Sequence, residues 1–333
     1  MAYQASDLIT ASHYNGFIGS GGTSVYASQS AVNAVAPCVG AIYGAGYGDR
    51  GWGQTDISLS AVAGGDIITS AKWLGLRNVL ATIRASQTGS VPSTVPAASV
   101  FDVGDMIQAH ESSSPTSDPY DFNSEIVTAD ANRSAASTLS VIVVGGTSSA
   151  TRSGTWGSST GGIELVFDVS WPSTDQARYF FNTGGQIRIS LSHPTGTAQD
   201  NNWNSALSTR VGQINVLSHQ TAMQGSLGTS AALGYFEATG SDQTIFNAVV
   251  TGTSPYAANT LTLKYRALGT AANGGPGSGL RFTIRLTDGH INAFADSVAS
   301  GTIAAFTVAK NTYLGNPSLT TPTGSVSSAW TVV

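Results

Sequence analysis

Charge is scarce in this sequence: Asp, Glu, Lys and Arg together make up 10% of its 333 residues, against about 25% in an average globular domain. That shortage excludes a coiled coil or a long helical bundle, which draw heavily on Lys, Glu and Arg. It also excludes charge-driven disorder, because 41% of the residues are apolar and the chain can collapse. Cations are fewer still, 14 Lys and Arg in a chain of net charge −5, so no nucleic-acid partner is expected. Cysteine occurs once, at Cys38, leaving no intrachain disulfide and no Cys-based zinc site. Met1 to Ser12 lack the basic head and apolar run of a signal peptide. The nearest approach to a membrane span, Ala31 to Gly48, is interrupted by Asn33, Pro37 and glycines, whereas a span needs about 20 mainly apolar residues. The expectation is a soluble protein of a reducing cytoplasm with no membrane partner.

The standard chemical motifs are missing too. Gly44 to Gly51 is glycine-rich but does not end in the Lys-Ser or Lys-Thr of a phosphate-binding loop. His13, His110, His193, His219 and His290 never fall at metal-ligand spacing, and no Gly-x-Ser-x-Gly elbow occurs. Glu164 and Asp168 share a strand face as a conceivable carboxylate pair for sugar hydrolysis, an arrangement that any strand carries by chance. No catalytic residue, cofactor or metal is implied, and the chain reads as a non-enzyme.

What is abundant is glycine, at 39 positions, with Ser, Thr, Ala and Asn around short β-branched and aromatic runs. The fold expected is mainly β with a few short helices, an α+β N-terminal part and a C-terminal antiparallel β-sandwich. Residues 1–85 form an N-terminal docking region containing a helix over 69–85. There Thr69 caps a stripe of Trp73, Leu76, Val79, Leu80 and Ile83, and Gly89 lies beyond the end. A similar start, Thr10 leading into Tyr14 and Phe17, precedes it. Residues 86–132 hold no Lys or Arg but carry Asp102, Asp105, Glu111, Asp118, Asp121, Glu125 and Asp130, with Pro92, Pro96, Pro115 and Pro119. They read as an acidic Pro/Ser-rich linker or insertion with at most short strands such as Val100 to Ala109. A sharper reading is a docking surface or calcium site on Asp118, Asp121 and Glu125, although no EF-hand spacing supports it.

Residues 133–225 form a β-rich middle domain, with Leu139 to Val144 and Ile163 to Val169 as a wide hairpin, a strand over Gln186 to Ser192 and a helix over 202–217 bearing Trp203, Leu207, Val211 and Ile214. Residues 226–333 supply about five strands, the number suited to a small β-sandwich. Alternation there places Lys264, Arg266, Arg281 and Arg285 together on an outer face. That face reads either as a solvated surface or as a contact for an acidic partner, such as the acidic stretch of a neighbouring copy.

Four stretches resemble the virion structural proteins of tailed bacteriophages, especially the tail-fibre-like and other virion proteins of cyanophages and marine phages. They are Tyr47 to Thr55 (with the helix of Trp73), Ala177 to Arg188, Asn201 to Asn204, and Gly234 to Phe236 leading through Asp242 to Phe246. The resemblance implies a non-enzymatic building block of the tail, neck, baseplate or fibre, assembled in the host cytoplasm and localised in the virion. The expected partners are copies of itself, as trimer or hexamer, or another virion protein to which it binds as a repeated copy, an expectation that rests on the irregular apolar stretch Gly16 to Gly53. Interface candidates are Phe17, Tyr47, Trp52, Phe180, Phe181 and the four cations of the outer face. Phe180 and Phe181, read as extended chain, would either point to opposite sides, one inward and one to a neighbouring element or subunit, or both be buried within one domain. The irregular apolar stretch Gly16 to Gly53 would be covered by a partner or pack beneath the Trp73 helix. The alternative is a receptor-binding adhesin for host-surface carbohydrate, with Tyr47, Trp52 and Trp156 stacking on sugar.

Overall fold

A computed structural model describes residues 11–19, 38–55, 59–101, 122–133, 141–143, 148–157, 161–251, 256–289, 297–311 and 320–333. The chain divides into two compact units. The first comprises Met1–Ile142, Arg178–Gly184 and Asn311–Leu319; the second comprises Val143–Ala177, Gly185–Lys310 and Thr320–Val333.

The first unit is helical, with α1 (Ala11–Ile18), α2 (Val39–Tyr43), α3 (Ser70–Thr88) and α4 (Phe122–Ala131). The expected stripe of α3 is buried at Trp73, Leu76, Val79, Leu80 and Ile83. Thr69 gives α3 an extended N-cap backbone without a side-chain cap bond, and Gly89 closes it in the left-handed region, its N–H donating to Ala85 O. Trp73 is the hub: Tyr14 meets it edge-on with ring centroids 5.4 Å apart, and Phe122 lies 5.5 Å away. Ile18, Val39, Ile42 and Trp52 join the same core. These N-terminal residues therefore pack beneath the Trp73 helix of their own chain.

The acidic stretch is not simply a linker. Phe122, Ile126 and Ala129 of α4 recur at helical spacing and are buried in that core. Their stripe is hidden in the sequence by Glu125 and Asp130, which are buried as well. Val100 and Phe101 lie in a 3-10 turn, Ala98–Phe101, and the rest of the expected 100–109 strand is outside the described residues.

The second unit is a β-sandwich of two antiparallel sheets. Its strands are β1 (Val141–Val143, where the chain leaves the first unit), β2 (Ser148–Thr151), β3 (Gly162–Ser170), β4 (Gln186–Ser192), β5 (Gln213–Val216), β6 (Thr221–Met223), β7 (Ser230–Ala231), β8 (Gln243–Val249), β9 (Thr260–Leu268), β10 (Gly279–Thr287), β11 (Ile303–Asn311) and β12 (Thr323–Val332). One sheet runs β12-β3-β10-β9-β8; the other runs β1-β11-β4-β5-β6-β7, with β2 also on β11. The inward residues are the apolar members of each alternation: Ile163, Leu165, Phe167 and Val169 on β3, and Leu280, Phe282, Ile284 and Leu286 on β10. Ile187, Ile189 and Leu191 face them from β4. Phe167 of one sheet stacks on Phe306 of the other, planes 7° apart.

Three expectations are corrected here. The stretches 133–225 and 226–333 are not separate domains: β3 lies between β12 and β10, and β4 between β11 and β5. The expected hairpin does not form, since β1 and β3 belong to different sheets. The helix over 202–217 begins earlier, as α6 (Ala198–Ser205) below α5 (Thr174–Asn182) in the chain, continues as a π turn over Ala206–Val211, and Ile214 belongs to β5. Thr197 and Asp200 form a capping box that starts α6.

Among the described residues no helix is long and apolar enough to cross a membrane. Phe167→Ala should leave a void between the sheets that Phe306 cannot fill and cost about 3–5 kcal/mol, read as a lower urea midpoint for the second unit.

Candidate functional site

Two of the stretches that carry the resemblance meet in the first unit. The α5 helix ends there, and Arg178, 1% exposed, points into the loop that follows α2. Its guanidinium donates to Gly48 O at 3.2 Å, Arg50 O at 2.9 Å and Ala45 O at 3.4 Å. Asn182, one helical turn on, donates to Gly51 O at 3.0 Å. The loop can close this tightly because Gly46, Gly48, Gly51 and Gly53 all have positive φ. At Gly53 the Tyr179 ring occupies the place a Cβ would take. Behind the loop, Arg50 pairs with Asp130 at 2.9 Å and Arg133 with Asp49 at 2.6 Å. Burial, more than the opposing attraction of Arg50 and Arg133, pushes the Asp130 carboxyl above its usual pKa.

This geometry corrects the extended reading of Phe180 and Phe181 and agrees with the alternative that both rings are buried. They lie in a helix rather than a strand, both are 1% exposed, and they pack edge-to-face at 5.2 Å. Trp52 is likewise buried, beside Tyr43. Neither phenylalanine nor Trp52 has surface to offer a partner. Phe17 is partly buried against Trp73 and Phe122, and Tyr47 is partly buried against Cys38 and Ala41. Of the proposed sugar-stacking aromatics, Trp52 and Trp156 are both enclosed. Of the proposed calcium oxygens, Glu125 is bound by Arg84 at 2.9 Å, while Asp118 and Asp121 lie outside the described residues.

In the second unit the alternation does place Lys264, Arg266, Arg281 and Arg285 on one outer face, but that face is not simply basic. Register sets Arg281 opposite Asp168 and Arg285 opposite Glu164. Arg281 grips Asp168 with two bonds of 2.8 Å. Arg266, directly opposite Arg281, has Asp242 at 3.7 Å on its other side. The row across the sheet thus reads minus, plus, plus, minus. Glu164 and Asp168, the conceivable hydrolytic pair, are members of this ladder.

A third constellation was not expected. His193 Nε2 lies 3.0 Å from Asp200 Oδ1 and its Nδ1 lies 2.9 Å from Thr302 Oγ1. The carboxylate only accepts, so Nε2 carries the proton and Nδ1 accepts from the Thr302 hydroxyl. The Trp156 indole donates to the same Thr302 oxygen at 3.1 Å. A hydroxyl, an imidazole and a carboxylate in series have the order of a nucleophilic triad. Here His193 is 2% and Thr302 0% exposed, so the hydroxyl meets no outside substrate. Chemically the arrangement is a brace. It joins the end of β4, the cap of α6, the loop before β11 and the Trp156 segment. Only the Thr197-x-x-Asp200 spacing signals it in the sequence.

Among the described residues no group of three or more His, Cys, Asp or Glu side chains is placed to hold a metal ion. Comparison with family models, curated proteins and solved structures gives no match to this chain.

Burial works against the charge of Asp200, but donors from Ala299, His193 and Thr197 outweigh it and hold its pKa below the usual value. Ionised Asp200 therefore stabilises the fold above the ordinary carboxylate range, and this contribution is lost as pH falls through the lowered folded value. Asp200→Asn should destabilise the second unit at neutral pH, with the difference from wild type shrinking in acid; urea titrations at both pH values read it. In the first unit, Arg178→Lys keeps the charge but cannot reach all three carbonyls and should cost about 1.5–3 kcal/mol, seen in thermal melts.

Proposed function

We propose that this chain is a non-enzymatic structural component of a tailed-phage virion, working in the tail, neck, baseplate or fibre as a homo-oligomer or as a repeated copy bound to other virion proteins. The observation that carries this reading is how the resemblance-bearing residues are used. Arg178 and Asn182 from one such stretch hold the carbonyls of Gly48, Arg50 and Gly51 from another. Their polar groups fix backbone to backbone and face no substrate. The enclosed His193–Asp200–Thr302 brace supports the same reading, because the one triad-like series in the described residues is closed to solvent. The near-neutral outer sheet face supports contacts made by shape and hydroxyl groups more than by net charge.

The test is biochemical localisation. Density-purified particles of the phage that encodes the chain should yield its peptides by mass spectrometry in fixed stoichiometry to known virion proteins, and gold-labelled antibodies should mark one place on the particle. Absence from purified particles, with the chain present in the lysate, would overturn the proposal.

A further inference from the structure

The β9–β10 connection carries a chemically labile bond under an unusual restraint. Ala272 and Gly275 exchange backbone hydrogen bonds of 3.1 and 2.8 Å around the two residues Asn273 and Gly274. Both have positive φ, 51° and 81°, the backbone of a type I′ turn, for which Asn-Gly is the favoured pair. Asn273 is exposed at the tip of this turn. Its amide nitrogen nevertheless donates to both carboxylate oxygens of Asp175, at 3.0 and 3.1 Å. Asp175 lies in the first turn of α5. Beside it the Thr174 hydroxyl donates to Thr270 O at 2.8 Å, so the start of α5 is tied twice to the same loop.

Asn-Gly is the dipeptide most prone to side-chain cyclisation, because glycine leaves the following nitrogen unshielded. The Gly274 nitrogen, on losing its proton, attacks Asn273 Cγ; the Cγ–Nδ2 bond breaks and Nδ2 leaves as ammonia with a proton from water. Water then opens the cyclic imide at either carbonyl, leaving aspartate or isoaspartate. For the ring to close, the side chain must swing from Asp175 onto Gly274, and both hydrogen bonds to the carboxylate must break first. We propose that Asn273 is a deamidation site held back by Asp175, and that its conversion releases one of the two ties between the first turn of α5 and the β9–β10 loop, leaving the Thr174 bond to Thr270. The product carboxylate faces Asp175 with like charge where a donor stood, so the tie becomes a repulsion.

The experiment follows Asn273 by peptide mapping during incubation of the full chain in mildly alkaline buffer, folded and in urea. Wild type should convert more slowly folded than unfolded. Asp175→Ala should speed the folded reaction about fivefold, the order expected for losing two exposed hydrogen bonds, and leave the unfolded rate unchanged. Asp175→Asn, which keeps one acceptor oxygen, should fall between, and it serves if the alanine variant does not fold. Asn273→Asp should lower the melting temperature of the second unit. Equal folded rates in wild type and both Asp175 variants would overturn the restraint, as would a wild-type rate no slower folded than unfolded. An Asn273→Asp chain as stable as wild type would overturn the release.

Discussion

Backbone carbonyls that turn inward must find donors, and a chain rich in glycine loops and poor in charge has few side chains to supply them. The structure concentrates that task on a handful of planar groups. The Arg178 guanidinium serves three carbonyls of one loop. Gln87 serves Ala129 O and Asn132 O, and Asn15 takes both the N–H and the C=O of Val62. Each such group joins segments far apart in sequence, so packing of the first unit depends on it. Trp73 is the hub of the core that these segments enclose.

The second unit meets the same constraint differently. Its backbone is satisfied by the two sheets, and the leftover problem lies in the loops at their ends. The His193 brace handles this with neutral and singly charged groups arranged so that every donor meets an acceptor. Asp200 can remain ionised in so enclosed a place because two backbone N–H groups, a hydroxyl and an imidazole surround it. On the outer face, where water is available, charge is arranged as a ladder, and the like-charged pair Arg266 and Arg281 is tolerable because a carboxylate stands at each end of the row.

The legible parts of the fold are those with a strong local period. The α3 stripe ending at Gly89 and the alternations of β4, β9 and β10 could be read directly, because each buries one face against apolar neighbours. The missed helices share a different cause. In α4 the apolar stripe is interrupted by acids whose partners lie elsewhere in the chain, Arg84 on α3 for Glu125 and Arg50 in the loop after α2 for Asp130. In α5 the run Tyr179-Phe180-Phe181 has strand-like composition, yet Arg178 and Asn182, four apart, need a helix to reach neighbouring carbonyls. The assignment of β1 and β3 to different sheets, and the union of His193 with Thr302, depend on pairings between distant residues that no local pattern encodes. At the candidate sites the residue types were visible, but their burial was not: Trp52 and Phe181 look identical in sequence whether they face a core or a partner.

The position of β3 bears on how the molecule is made. This strand is complete at Ser170, but both of its neighbours, β10 and β12, come later in the sequence. A ribosome delivers it with two open edges and an apolar face bearing Ile163, Leu165, Phe167 and Val169. It must stay in that state until residue 287 has emerged for one edge and residue 332 for the other. Such a strand is a template for mispairing between nascent chains. The sandwich therefore closes late, only after strands far along the chain have been made, and is governed by long-range pairing, so yield of folded protein should depend on synthesis rate and chain concentration more than on the stability of the finished fold.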